Sequence, residues 1–196
     1  VDDFVTTSFN PKVTLTPRNL SISVKINPIE ISNFRGICGY HGNEGGFALQ
    51  FEYGRLCLIF KNNVNPWAYL EIESNSVSLG EWTHLTFTIQ GNQTAVYKNG
   101  IKISSEFLRS NKTAVSENDI LSLSQYFYIG KGYNAADRYF NGKIQDVRIY
   151  NRALTPEEVL INYDMTRPDG PKMKLGSNGT TYVKKVIANN IFRKGV

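Results

Sequence analysis

The sequence is short of the residues that most small catalytic and metal sites are built from. It holds two cysteines and two histidines in 196 residues. Two cysteines cannot form the dense disulfide framework of a small secreted scaffold. Two histidines, His41 and His84, exclude a histidine-rich zinc cluster and leave few options for a Ser-His-Asp triad. No apolar run approaches the ~20 residues that a membrane-spanning helix needs. No repeat and no low-complexity block is present. The chain opens on Val1 with no signal-peptide pattern, which reads as a piece of a longer protein.

Net charge is also scarce over most of the chain. The formal net charge is +5, from 22 basic and 17 acidic residues. Residues 171–196 hold Lys172, Lys174, Lys184, Lys185, Arg193 and Lys194 and no acid. Removing those six leaves 16 basic against 17 acidic residues in 1–170, a net of −1. A nucleic-acid partner inferred from the overall pI would therefore be misplaced for the body of the chain.

What is present is mostly strand. Leu20, Ile22, Val24 and Ile26 alternate with Ser21, Ser23 and Lys25, the period of a half-buried strand. Phe47, Leu49 and Phe51 alternate with Ala48, Gln50 and Glu52. Tyr53-Gly54-Arg55 reads as a turn, and Leu56–Phe60 as a strand buried on both faces. Lys98-Asn99-Gly100-Ile101 signals a hairpin, because Asn-Gly accepts the positive φ of a type I′ turn. One late helix is expected, with Thr155 as N-cap, Pro156 at its first position and Glu158 closing a capping box. Leu154 and Val159 or Leu160 would staple it. The breaker cluster Thr166–Pro171 sets a boundary, giving a domain over 1–167 and a basic linker or strand-like extension over 168–196.

Several pieces together resemble a known family. Val1-Asp2-Asp3-Phe4-Val5 resembles its first strand, and Glu81-Trp82-Thr83-His84 its Trp-x-His strand. Ala95–Gly100 is similar to its Tyr-x-Asn-Gly hairpin, Tyr126–Gly130 to its Ile-Gly strand, and Phe140–Tyr163 to its closing strand, turn and helix. In this order, over roughly residues 1–165, they resemble the laminin-G-like, concanavalin A-like lectin and glucanase domains. The resemblance implies an all-β, two-sheet antiparallel jelly-roll sandwich with one short C-terminal helix. It implies a structural Trp82, expected to be buried, and a structural, hydrogen-bonded His84. Calcium is common in similar folds, and Asp137, Asn141 and Asp146 are candidates by type alone. Gln145 replaces the acid usual before Asp146, and there is no Asp-x-Asp-x-Asp-Gly loop, so no metal site or cofactor is assigned.

The catalytic reading is weak. Some glycoside hydrolases with this sandwich carry Glu-x-Asp-x-x-Glu on one strand, which alternation places on one face. The nearest match here, Glu71-Ile72-Glu73-Ser74-Asn75-Ser76, lacks the third carboxylate, and the chain is read as no enzyme. Recognition is the preferred reading. Sugars are bound by flat aromatic rings with amides and charges on their hydroxyls, supplied by loops on a rigid scaffold. The candidate residues are Trp67 and Tyr69, Tyr133, Asn134 and Arg138, and His41 in the Tyr40–Asn43 turn. Their bland alternative is core or rim packing.

The expected function is non-catalytic binding of a glycan or cell-surface ligand by part of a larger secreted, surface or phage tail protein. The alternative is a structural or assembly domain of a virion or surface fibre, with the C-terminal extension joining copies of the chain. Location outside the cell, at its surface or on a virion follows from either. Membrane insertion is not expected. Cys38 and Cys57 sit in apolar strand contexts and read as buried free thiols.

Overall fold

In the computed structural model the described residues are 4–16, 19–42, 45–60, 68–72, 77–103, 107–109, 124–133 and 138–167. The elements, in chain order, are β1 (Val5–Thr6), α1 (Pro11–Thr14), β2 (Asn19–Pro28), β3 (Arg35–Gly42), β4 (Gly45–Glu52), β5 (Arg55–Phe60) and β6 (Ala68–Ile72). There follow β7 (Thr83–Gln90), β8 (Gln93–Lys98), β9 (Ile101–Ile103), β10 (Phe107–Arg109), β11 (Tyr128–Ile129), β12 (Gly142–Tyr150) and α2 (Pro156–Asp164). Among the described residues they form two antiparallel sheets. One has seven strands in the order β1-β11-β3-β4-β5-β6-β10; the other has five, β12-β2-β7-β8-β9. This is the expected all-β sandwich.

Strand alternation builds the core between the sheets. Leu20, Ile22, Val24 and Ile26 of β2 are fully buried, as are Leu85 and Phe87 of β7. They belong to one cluster with Phe47, Leu49, Phe51, Leu56, Leu58 and Phe60 from β4 and β5. The turns follow their chemistry. Tyr53 and Gly54 take φ of 48° and 85°, and Asn99 and Gly100 take 52° and 80°. Positive φ at both central residues is what the type I′ hairpin turn requires.

The outer face of the five-stranded sheet is roofed by α2. Thr155 caps the helix: its side chain accepts from Glu158 N, and Glu158 Oε2 accepts from Thr155 N at 2.9 Å. Leu154 and Val159 pack with Tyr97 and Tyr150 into a second small core. Beneath the helix Ser21 Oγ accepts from Leu154 N and donates to Arg152 O, both at 2.9 Å. Arg148 donates to Asp146 and to Asn162 Oδ1. His84 is buried and shares a 2.9 Å hydrogen bond with Ser23 Oγ.

Two expectations change or are resolved here, for Trp82 and for the cysteines. Trp82 is 42% exposed and lies against Lys25, with Nζ 5.5 Å from its ring centre. It precedes β7 on the side of the sheet that α2 only partly covers, so the buried role expected for it does not hold. Cys38 and Cys57 are both free and buried. Cys38 is registered with Leu49 and faces the core, whereas Cys57 is registered with Gln50 on the opposite face, so they cannot bridge. Asp146, a calcium candidate by type, is engaged by Arg148 at 2.5 Å, and Asn141 Nδ2 donates to Glu30 Oε2 at 3.2 Å. Among the described residues no three His, Cys, Asp or Glu side chains converge on a metal position. The extension 168–196 lies outside the described residues.

Candidate ligand-binding face

With α2 on one outer face, the other outer face, that of the seven-stranded sheet, is where polar groups gather. Phe47, Leu49 and Phe51 face the core, so the period of two turns Ala48, Gln50 and Glu52 outward. Register carries this face across neighbouring strands. Gly39, Ala48, Ile59 and Tyr69 form one row, and Gly36, Gln50, Cys57 and Glu71 the next. The centre of the face is dry: Ala48, Gln50, Cys57 and Ile59 are all buried. Glu52, Tyr69 and Glu71 are half-buried at its margin.

The segment after β11 folds down onto this face because Gly36 has no side chain. A Cβ there would lie 2.0 Å from Gly132 N. Gly132 itself sits against Ala48 and Gln50, and its carbonyl accepts from His41 N at 3.0 Å. The returning chain is held by Gly36 N donating to Arg138 O at 3.0 Å and Phe140 N donating to Gly130 O at 2.9 Å.

This anchoring assembles three of the expected residues. The His41 and Tyr133 rings stack with centroids 4.9 Å apart. The Arg138 guanidinium lies over Tyr133 at 4.8 Å and over Phe34 at 4.2 Å. Phe34 meets Tyr53 edge-on at 4.9 Å. Behind them runs a polar relay. Gln50 Nε2 donates to Glu52 Oε1 at 2.7 Å, so its Oε1 is the acceptor for His41 Nε2 at 3.0 Å. His41 therefore carries its proton on Nε2 in this arrangement. Burial, with the nearby Arg138 charge adding to it, holds His41 down to about 4 despite the Gln50 bond. Burial pushes the Glu52 carboxyl up, while Gln50 and Arg138 oppose that shift. The Tyr69 phenol is also raised by burial first, with Glu52 and Glu71 adding to it. Glu71 is paired with Arg55 at the exposed edge.

Tyr69 stands apart from the stack. It lies three strand spacings from β3, roughly 14 Å. Trp67 and Asn134 lie outside the described residues. Sequence reasoning left out Phe34, Gln50 and Glu52. The signal for Gln50 and Glu52 was present, since the alternation that buries Phe47, Leu49 and Phe51 also assigns their neighbours to the opposite face.

Two antiparallel sheets packed face to face, with a helix over one outer face, define an all-β sandwich of the jelly-roll class. The chain belongs to the concanavalin A-like lectin/glucanases superfamily, whose Laminin_G_3 family model matches residues 2–160. No curated protein matches it. Among solved structures it is similar to domain 4 of AbnA, a GH43 extracellular arabinanase from Geobacillus stearothermophilus, in complex with arabinotriose. That match has 22% identity and a TM-score of 0.59, covering 82% of this chain and 81% of the other. It is also similar to a putative carbohydrate-binding protein from Bacteroides ovatus (18% identity, TM-score 0.59, 81% of this chain and 44% of that one). The botulinum neurotoxin serotype D binding domain matches at 18% identity and a TM-score of 0.61, over 83% of this chain and 40% of its own. At these identities the likeness is one of fold.

Proposed function

We propose that the domain is a non-catalytic recognition module that binds a glycan on the outer face of the seven-stranded sheet. The observation carrying this reading is the His41–Tyr133–Arg138 stack seated on the Gln50–Glu52 relay. It gives a rigid aromatic wall whose members hold each other in place, next to a half-buried carboxylate. Aromatic rings suit the C–H faces of sugars, and carboxylates and amides suit their hydroxyls. Tyr69 and Glu71 supply a second set of such groups at the margin of the same face.

The fold neighbours support the class of ligand: one is in complex with arabinotriose, another is described as a putative carbohydrate-binding protein, and a third is a toxin binding domain. A module of this kind acts outside the cell, as part of a secreted or surface-attached protein. Hydrolysis has little to work with. Glu71 is engaged by Arg55, and Glu52 and Glu71 lie on separate strands instead of the single-strand carboxylate set of the family's hydrolases. The test is a glycan array with the purified chain, followed by titration of the retained glycan against Tyr133→Ala and Glu52→Gln. Loss of binding in both variants with the fold intact supports the reading. Retention of full affinity in both moves the site elsewhere.

A further inference from the structure

The exposed Trp82 lies where the helical roof stops. Lys25 Nζ donates to Thr166 O at 2.7 Å and also lies 5.5 Å from the Trp82 ring centre. Thr166 is two residues past the end of α2, whose last turn carries Tyr163 5.8 Å from His84. In register, Lys25 is opposite His84, so Trp82 occupies the next position along the same outer face. The chain therefore leaves α2 directly beside Trp82. The apolar surface there is wider than one ring. The turn before β7 is tied to the end of β2 by Gly80 N donating to Pro28 O and Asn27 Nδ2 donating to Gly80 O, both at 2.8 Å. This brings Leu79 (54% exposed) and Ile29 (61% exposed) to the same end of the sandwich as Trp82.

We infer that the segment following α2, within residues 168–196, docks on the Trp82–Leu79–Ile29 surface and completes the roof that α2 begins. Two features specify this occupant. The first is its exit point at Thr166. The second is its sequence: the pairs Tyr182-Val183, Val186-Ile187 and Ile191-Phe192 supply apolar side chains that match an apolar surface. Reach is no obstacle, since the 15 residues from Arg167 to Tyr182 can span up to about 50 Å. Burying an exposed indole and two aliphatic side chains is the favourable term that offsets the ordering of the segment.

The experiment uses the full chain carrying Trp67→Phe, so that Trp82 is the sole tryptophan. Emission maximum and acrylamide quenching are compared with those of a chain ending at Arg167 and of the full chain carrying Val186→Asp and Ile187→Asp. Docking predicts a red shift and stronger quenching in both variants, independent of protein concentration. The same emission and quenching in all three proteins would overturn it. A shift that appears on diluting the full chain would also overturn it, by assigning the surface to a second copy. Circular dichroism of each variant separates loss of docking from loss of fold.

Discussion

The ring of His41 stacks on that of Tyr133 at 4.9 Å with the planes 29° apart, and this contact ties a sheet residue to the loop that crosses the sheet. The backbone supports it from below through His41 N and Gly132 O at 3.0 Å. Neither partner would be held this way without Gly36, which lets the loop descend. The proposed binding wall and the fold are therefore linked through one glycine.

That link gives the first prediction. Gly36→Ala should destabilise the domain by about 1–3 kcal/mol, the usual cost of forcing extra volume into a packed site. The added Cβ meets backbone at 2.0 Å, which cannot rotate away. Chemical denaturation of the variant measures it. An unchanged midpoint would show that the loop is not seated on Gly36.

Stability should fall in mild acid. His41 and His84 are both buried and lowered to about 4, in each case by burial first. An unfolded histidine titrates near 6.5, so between pH 6.5 and 4 the unfolded chain binds more protons than the folded one. The native state is therefore favoured above pH 6.5 and loses that advantage as pH falls towards 4. By pH 5 each histidine should have cost on the order of 1–2 kcal/mol. Urea midpoints at pH 7 and pH 5, with and without His84→Gln, read this out; a pH-independent midpoint would exclude it. Glu30 acts in a lower window. Hydrogen bonding from Arg35, with Ser32 and Asn141, holds it at about 2, so its contribution goes only below about pH 4.5.

The α2 cap is a local test of the roof. Thr155→Ala removes the side-chain acceptor for Glu158 N and should cost about 1 kcal/mol. Thermal unfolding of the variant measures it, and no loss would mean that Leu154 and Val159 alone fix the helix start.

Much of this architecture was legible in the sequence, for identifiable reasons. Alternation in Leu20–Ile26 and Phe47–Phe51, the Asn99-Gly100 turn and the Thr155–Glu158 box are local signals, and the folded structure keeps each of them. Trp82 was misread because a Trp in a strand-start motif says nothing about what covers it; the outward face at that position is decided by where α2 ends. The site was legible only in residue type. His41 is far in sequence from Tyr133 and Arg138, and what joins it to them is a loop descent permitted by Gly36 and the small side chain of Ala48. No periodicity encodes such a contact.

Hydrolytic activity provides a separate check. The purified chain is expected to show no turnover on polysaccharides, because the neighbouring carboxylates Glu52 and Glu71 are engaged by Gln50 and Arg55. Reducing-sugar assays over a polysaccharide panel test this. Activity that vanishes in Glu71→Gln would overturn the non-catalytic reading.

The most direct measurement is calorimetric titration of the array-selected glycan into the wild-type chain and into Tyr69→Ala. Tyr69 is half-buried on β6, next to the edge strand β10 and distant from the His41 stack, so its truncation probes whether the ligand spans the face. Loss of one ring contact is worth about 1–2 kcal/mol, a ten- to thirty-fold fall in affinity with little change in melting temperature. That result is the one predicted. A glycan that binds wild type and Tyr69→Ala equally, or an array on which the folded chain retains nothing, would contradict the account.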